Sequence, residues 1–341
     1  MSDLDVAVVI VSYKCAPLTI ESIRSVLHER STPGLSVRVV VVDNASGDFA
    51  PIKEAVELNG WSSWVTVVAA PKNGGFAYGN NLGIQHASAA RRPHYFYLLN
   101  PDAQIRPHAI ESLVRFLEAR RDVGIVGSSF ENLDGSDWPI AFRFPSLPYE
   151  VMQGLQFSPV THVLRRWVVA QEMNNAPQPV DWICGASMLI RPEVIATVGG
   201  FDENYFLYFE ETDFCYRAKQ AGISTWYLPE SRVMHIGGQA TKVTDLSDGL
   251  KRLPSYWFDS RRRYFCVTYG VAQAMAIDVF AVIAHSLGLL KRIAQGRTKD
   301  VVPYFIRDLI RHSVLRRRNR DFLPPKFNGQ WAKEPAQPNK I

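Results

Sequence analysis

The sequence predicts an α/β fold: a doubly wound, mostly parallel sheet with flanking helices, followed by a C-terminal helical basic extension. Three observations point there. Short β-branched runs alternate with helical patterns through the first 130 residues. The runs are apolar throughout rather than alternating, as in strands covered on both faces. Charge is segregated: residues 261–320 hold 13 Lys and Arg against 3 Asp and Glu, in a chain whose formal net charge is +5.

The strands read as VAVVIVS (6–12), VRVVVVD (37–43), VTVVA (65–69), YFYLL (95–99) and VGIVG (123–127). Residues 17–30, 51–59, 78–90 and 107–120 have helical spacing between them, the alternation that builds parallel sheets. The opening MSDLDVAVVIVSYK has no basic region before its apolar run and no small-residue cleavage site after it, so it reads as a first strand. From about 130 to 180 Pro and aromatic residues accumulate, an irregular excursion over one face. WICGASMLIRP restores a strand pattern, and residues 210–221 read as a helix with an acidic first turn and Gly222 beyond its end. The chain therefore divides into an α/β domain, 1–255, a basic amphipathic helical extension, 256–323, and a disordered tail, 324–341.

With 47% hydrophobic and 21% charged residues, the composition is globular. Cys15, Cys184, Cys215 and Cys266 form no C-x-x-C pair, which argues against a zinc ribbon or disulfide framework and for a reducing cytoplasm. The longest apolar stretch, VAQAMAIDVFAVIAHSLGLL (271–290), is interrupted by Asp278 and His285, which argues against a membrane span. In the basic segment, Val302, Phe305, Ile306, Leu309 and Ile310 follow helical spacing. That interleaving favours an anionic membrane surface over nucleic acid. A helix packed on its own domain has the same spacing.

Open α/β sheets bind ligands at the carboxyl ends of their strands, and polar residues gather there: Ser12-Tyr13, Asp43-Asn44, and Asn100-Pro101-Asp102. Asp43 and Asn44 suit a nucleobase or ribose hydroxyl, and equally a turn with helix-cap chemistry. The stretch NGGFAYGNNLG (73–83) does not match G-x-G-x-x-G and follows the third strand, against a dinucleotide fold. Its glycines permit a ligand to approach the backbone, with Asn80 and Asn81 as neutral donors; a capped turn would also explain them. Asp102 sits where Mg2+ or Mn2+ could bridge two phosphates, because phosphate and water complete the coordination shell. FEETDF offers Glu210, Glu211 and Asp213 as a general base, or as a solvated first turn. His235, before two glycines, is a ligand or a structural histidine.

In order along the chain, VVIVSYK, VVVVDNAS, NGGFAYGNNLG, LLNPDA, GASMLIRP, GGFDENYFLYFEETDFCYRAKQAG, VMHIGG and SRRRYF resemble inverting glycosyltransferases of family 2, the bacterial rhamnosyltransferase branch in particular, over residues 6–265. The resemblance implies a GT-A fold and a nucleotide-diphosphate sugar donor, dTDP-rhamnose first among them. It implies donor contacts from Asp43 and Asn44, from the main chain near Ser12 and Tyr13, and from Asn73, Gly75 and Asn81. Asp102 matches the last Asp of the family's D-x-D motif, with Asn100 in place of the first. His235 matches a metal-ligating His, so Asp102 and His235 are expected to lie within about 5 Å and share a Mg2+ or Mn2+. Glu211 takes the place of the catalytic Asp, with Glu210 beside it and Asp213 and Arg217 completing the helix pattern. Trp182 is a sugar-facing aromatic or a core residue. The acceptor expected is a lipid-linked saccharide in O-antigen or similar cell-surface polysaccharide synthesis, met by an enzyme peripheral on the inner face of the membrane. The rival readings are a catalytically silent sugar-nucleotide or membrane-binding subunit and a nucleotide-dependent oxidoreductase.

Overall fold

A computed structural model describes residues 3–138, 141–171, 173, 175–237, 250–297 and 301–316. The strands are β1 (Leu4–Ser12), β2 (Leu35–Asp43), β3 (Val65–Ala69), β4 (Tyr95–Leu99), β5 (Ala103–Ile105), β6 (Val123–Glu131), β7 (Asp137–Trp138), β8 (Ala141–Phe142), β9 (Gln178–Val180), β10 (Trp182–Ile183), β11 (Ser187–Ile190) and β12 (Ser224–His235). The helices are α1 (Ala16–Ser25), α2 (Phe49–Leu58), α3 (Gly75–Ala90), α4 (Ala109–Ala119), α5 (Leu147–Leu155), α6 (Ser158–Val163), α7 (Pro192–Val198), α8 (Glu210–Gln220), α9 (Ser255–Tyr269), α10 (Val271–Ala294) and α11 (Phe305–Arg311).

The main sheet runs β3-β2-β1-β4-β11-β6-β12-β5. It is buried on both faces, and the period of two along each strand divides its side chains between two cores. Val6, Val8 and Ile10 of β1 join one core, Ala7 and Val9 the other; β2 does the same with Val37, Val39 and Val41 against Val40 and Val42. Helix α4 seals the first core with Ile110, Leu113, Val114 and Leu117, one stripe at helical spacing. Helix α3 lies on the second, close enough that a Cβ on Gly79 or Gly83 would stand 2.5 Å from Val11 or 2.4 Å from Val9. Those two glycines therefore serve helix-on-strand packing rather than a ligand.

The parallel order breaks at β11, which inserts antiparallel between β4 and β6. Beyond it, β12 runs parallel to β6 and pairs antiparallel with β5, setting His235 opposite Ala103.

The C-terminal helices do not form an appendage. Gly154 of α5 and Gly288 of α10 meet so closely that a Cβ on Gly288 would lie 2.0 Å from the Gly154 carbonyl oxygen. The excursion after residue 130 is thus the seat of the extension. Helix α9 sinks three consecutive arginines: Arg261 bonds Glu150 and Asp278, each at 2.7 Å, Arg262 bonds Asp259 at 2.9 Å, and Arg263 bonds Asp202 at 2.7 Å. All three are buried, so a boundary at 255/256 cuts through one packed unit.

The spacing of 302–310 is turned inward in part, with Ile310 left exposed. Leu309 is buried with Phe258 and Ala281, and Phe305 packs against them; this corrects the reading of that helix as the membrane-facing element. Helix α10 carries an exposed apolar stripe of its own, Phe280, Ile283, Leu287 and Leu290. Helix α10 is long and apolar enough to cross a membrane by length and composition, yet its Asp278 is buried against Arg261. The tail expected to be disordered, 324–341, lies outside the described residues.

Candidate active site

A cavity of about 510 Å³ opens at the carboxyl ends of β1, β2 and β4, within the usual range of small-molecule sites, about 300–1,000 Å³. Tyr13, Asn44, Asn73, Gly75, Asn100, Asp102, Glu210, Glu211 and His235 line it. Ser12, Asp43, Asn81, Asp213 and Trp182 do not, and each has a visible physical task.

Asp43 spends both carboxylate oxygens on its own turn. Oδ1 accepts from the Ser46 N–H and hydroxyl at 2.9 and 2.6 Å, and Oδ2 from the Phe49 N–H at 3.1 Å. It thereby fixes Asn44, whose Nδ2 donates to Asn73 Oδ1 at 3.0 Å and the Gly75 carbonyl at 3.1 Å. Ser12 donates to Asp48 at 2.7 Å. Asn81 is buried and pairs through its amide with the main chain of Phe201, at 2.7 and 2.9 Å; Asn80 donates to the Phe76 carbonyl. Neither asparagine faces the cavity, which corrects the reading of them as ligand donors. Gly75, at φ +84, is the glycine the site needs, since a Cβ there would lie 1.8 Å from the Phe206 carbonyl oxygen.

Asp102 and His235, 133 residues apart, meet because β5 follows Asp102 directly and pairs with the end of β12. The Ile236 N–H also donates to the Asp102 carbonyl at 3.1 Å. His235 Nε2 lies 3.2 Å from Asp102 Oδ1 and 3.4 Å from Asn100 Nδ2. Its ring stacks on Trp138 at 5.0 Å, and its Nδ1 is buried without a partner among the described residues. Among the described residues no third His, Cys, Asp or Glu gathers with them. One carboxylate and one imidazole fit a divalent cation whose remaining positions go to diphosphate oxygens and water.

Across the cavity, Glu210 and Glu211 open α8. Two successive non-glycine residues before them, Tyr208 and Phe209, are left-handed, at φ 70 and 69, a conformation that persists only when its surroundings hold it. Helix α9 holds it. The Ser260 hydroxyl donates to the Leu207 carbonyl at 2.9 Å, Tyr256 packs on Phe206 and Tyr208, and Trp257 and Tyr264 pack on Phe209. Tyr256 also lines the cavity; the aromatic, Arg-rich run 256–265 was the sequence signal for this contact.

Burial pushes the Glu211 carboxyl up to about 7, partly offset by the N–H groups of Glu211 itself and Gly185. Burial, then the neighbouring Glu211, raises Glu210 well above the usual carboxylate range. One oxygen of each is buried with no hydrogen-bond partner, which leaves a proton acceptor facing space. Asp213 is different: Arg217 Nε donates to it at 2.8 Å and the Tyr205 hydroxyl at 3.4 Å, so it anchors the helix. Trp182 stacks on Phe142 at 4.3 Å and donates to the Arg143 carbonyl at 2.9 Å.

Residues 7–166 match the family model described as glycosyl transferase family 2. The N-acetylglucosaminyl-diphospho-decaprenol L-rhamnosyltransferase of Mycobacterium tuberculosis is 29% identical over 220 residues, covering 60% of this chain and 68% of that protein. The dTDP-rhamnosyl transferase RfbF of Shigella flexneri is 22% identical over 214 residues, 61% of this chain and 63% of its own length. Among solved structures, the mannosyltransferase PcManGT of Pyrobaculum calidifontis in complex with GDP-Man and Mn2+ aligns with a TM-score of 0.53 at 16% identity, covering 91% of this chain and 86% of that one. That likeness is one of fold, the GT-A fold.

Proposed function

The chain is a glycosyltransferase of family 2 type, and from that premise we propose that it transfers L-rhamnose from dTDP-rhamnose, with inversion, onto a hydroxyl of a lipid-linked saccharide in cell-surface polysaccharide synthesis. The observation that carries the reading is one cavity lined both by Asp102 and His235 and by Glu210 and Glu211, each of whose carboxylates keeps one oxygen with no hydrogen-bond partner among the described residues. The activities for which the mycobacterial and Shigella relatives are named support the sugar, the nucleotide and the lipid-linked acceptor.

In this reading Tyr13, Asn44, Asn73 and the main chain at Gly75 bind the donor. Glu211 takes the proton of the acceptor hydroxyl, and the oxygen forms a bond to the anomeric carbon from the face opposite the diphosphate. The bond from that carbon to the diphosphate oxygen breaks, and its electron pair leaves with the nucleoside diphosphate. Attack from the opposite face inverts the configuration. A carboxyl held near 7 suits a base working near neutrality. Asp102 and His235 would hold Mg2+ or Mn2+, which when bound supplies charge stabilisation to the leaving diphosphate. PcManGT, solved with Mn2+ and a nucleotide sugar, supports that pairing. The exposed stripe on α10 supports a peripheral position on the inner face of the membrane.

The test is release of nucleotide from a donor panel, dTDP-rhamnose first, with and without EDTA. Turnover with dTDP-rhamnose that stops with EDTA and returns with Mn2+ or Mg2+ supports the reading. Turnover indifferent to EDTA removes the metal, and preference for another donor removes rhamnose.

A further inference from the structure

Behind Glu211 lies a second cavity, of about 400 Å³, that donor binding does not use. Glu211 and Tyr208 line both cavities, so reactants held on the two sides can meet there. The second cavity lies between α5, the start of α8 and the C-terminal helices, and is graded in character. The segment 301–306 contributes Val302, Phe305 and Ile306, and α10 contributes Leu289 and Arg292. Its buried carboxylate Glu150 is already matched by Arg261. Burial lowers His285 to about 4, so it carries no charge near neutrality. The Arg292 carbonyl accepts from the Arg297 N–H at 2.8 Å, but among the described residues its guanidinium, on the cavity wall, has no carboxylate partner. The cavity thus has an apolar part, a cation available to an anion, and the general base on its boundary with the donor.

We propose that this cavity is the acceptor's lipid site and takes a prenyl diphosphate. The apolar residues of 301–306 and Leu289 receive the isoprenoid units next to the diphosphate. Arg292 receives the diphosphate, and the sugar attached to it presents its hydroxyl to Glu211. The proposal rests on the reading of Glu211 as the base for a lipid-linked acceptor. It adds where the lipid goes and which residues choose it, and it ties acceptor selection to the extension rather than to the sheet.

Calorimetric titration of the full chain with geranyl diphosphate tests it, beside inorganic diphosphate and geraniol. Saturable 1:1 binding is expected, with either half of the ligand alone weaker by about tenfold or more. Arg292→Glu and Val302→Asp should each weaken it by about tenfold, with Arg292→Lys intermediate, while circular dichroism is unchanged. Binding no tighter than that of inorganic diphosphate, an unchanged Kd in Arg292→Glu, or displacement by dTDP would each overturn the proposal, the last by placing the ligand in the donor cavity. Hydrolysis of dTDP-rhamnose, measured on the same samples, keeps the two questions apart. Normal hydrolysis with any of those three results condemns the lipid site alone, whereas absent hydrolysis with intact geranyl diphosphate binding condemns the donor reading.

Discussion

The two cavities that share Glu211 are built in opposite ways. The donor cavity is walled mainly by loops at strand ends, where main-chain pairing fixes Asn44, Asn100 and Asp102 beside one another. The second is walled largely by helices α5, α9 and α10 and the segment 301–306, held by buried ion pairs and one contact between glycines. Sheet register tolerates many side chains so long as the backbone is kept. A helical wall depends on particular side chains and on their charges being matched. Substitutions on the two sides should therefore fail differently, in chemistry or donor affinity on one and in stability or acceptor affinity on the other.

The sharpest break comes at the shared wall. Glu211→Gln should lower transfer by about 10²–10⁴-fold while leaving dTDP-rhamnose binding intact, with kcat/KM and donor titration as the measurements. In the parent enzyme kcat/KM should rise with pH through about 7 as this carboxyl loses its proton. Next, Asp202→Ala removes the carboxylate that the buried Arg263 bonds at 2.7 Å and should destabilise the fold by about 3 kcal/mol in urea unfolding. Asn44→Ala, at a strand end, should instead raise the KM for donor with a smaller loss of stability. Gly288→Val forces a side chain against the Gly154 carbonyl and should cost about 1–3 kcal/mol, raising the acceptor KM more than the donor KM. Linkage gives a smaller effect. Because Glu210 and Glu211 are raised in the fold, their burial lowers stability as pH rises from the ordinary carboxylate range through about 7. Glu210→Gln should therefore raise Tm at pH 8 and leave it unchanged at pH 4; the reverse order would refute the burial argument. Smallest in stability is Ile283→Asp with Leu287→Asp on the exposed stripe, within about 0.5 kcal/mol each, yet flotation with anionic liposomes should fall.

The same contrast explains what could be read from sequence. Strands β1 to β4 and β6 and the helices between them were legible because burial on both faces makes apolar runs with a local signature. The meeting of Asp102 with His235 was an expectation of the family resemblance, and no spacing in the sequence shows it. Strand β11 was legible as a strand, but nothing in four residues, SMLI, says that they run antiparallel between β4 and β6. The roles of Asp43 and Asn81 were hidden because a cap, a main-chain bridge and a ligand contact all call for the same short polar side chains. The extension was misread for an electrostatic reason. Arg261, Arg262 and Arg263 look like a solvated basic patch, and the carboxylates that bury Arg261 and Arg263 lie 17, 61 and 111 residues away. The apolar spacing of 302–310 fitted a membrane surface and a packed helix equally, and only the structure says that Phe305 and Leu309 pack inward.

The contact between Gly154 and Gly288 bears on how such an enzyme can diversify. Two backbones that touch leave no room for a side chain at either glycine, and Gly154 lies in α5, ahead of α8 and β12 in the chain. If the second cavity selects the acceptor, as proposed, trading tails after residue 255 would not be enough to exchange that preference. The transplantable piece is discontinuous, α5 together with α9 to α11, and recombination at a single crossover would separate two surfaces that were fitted to each other.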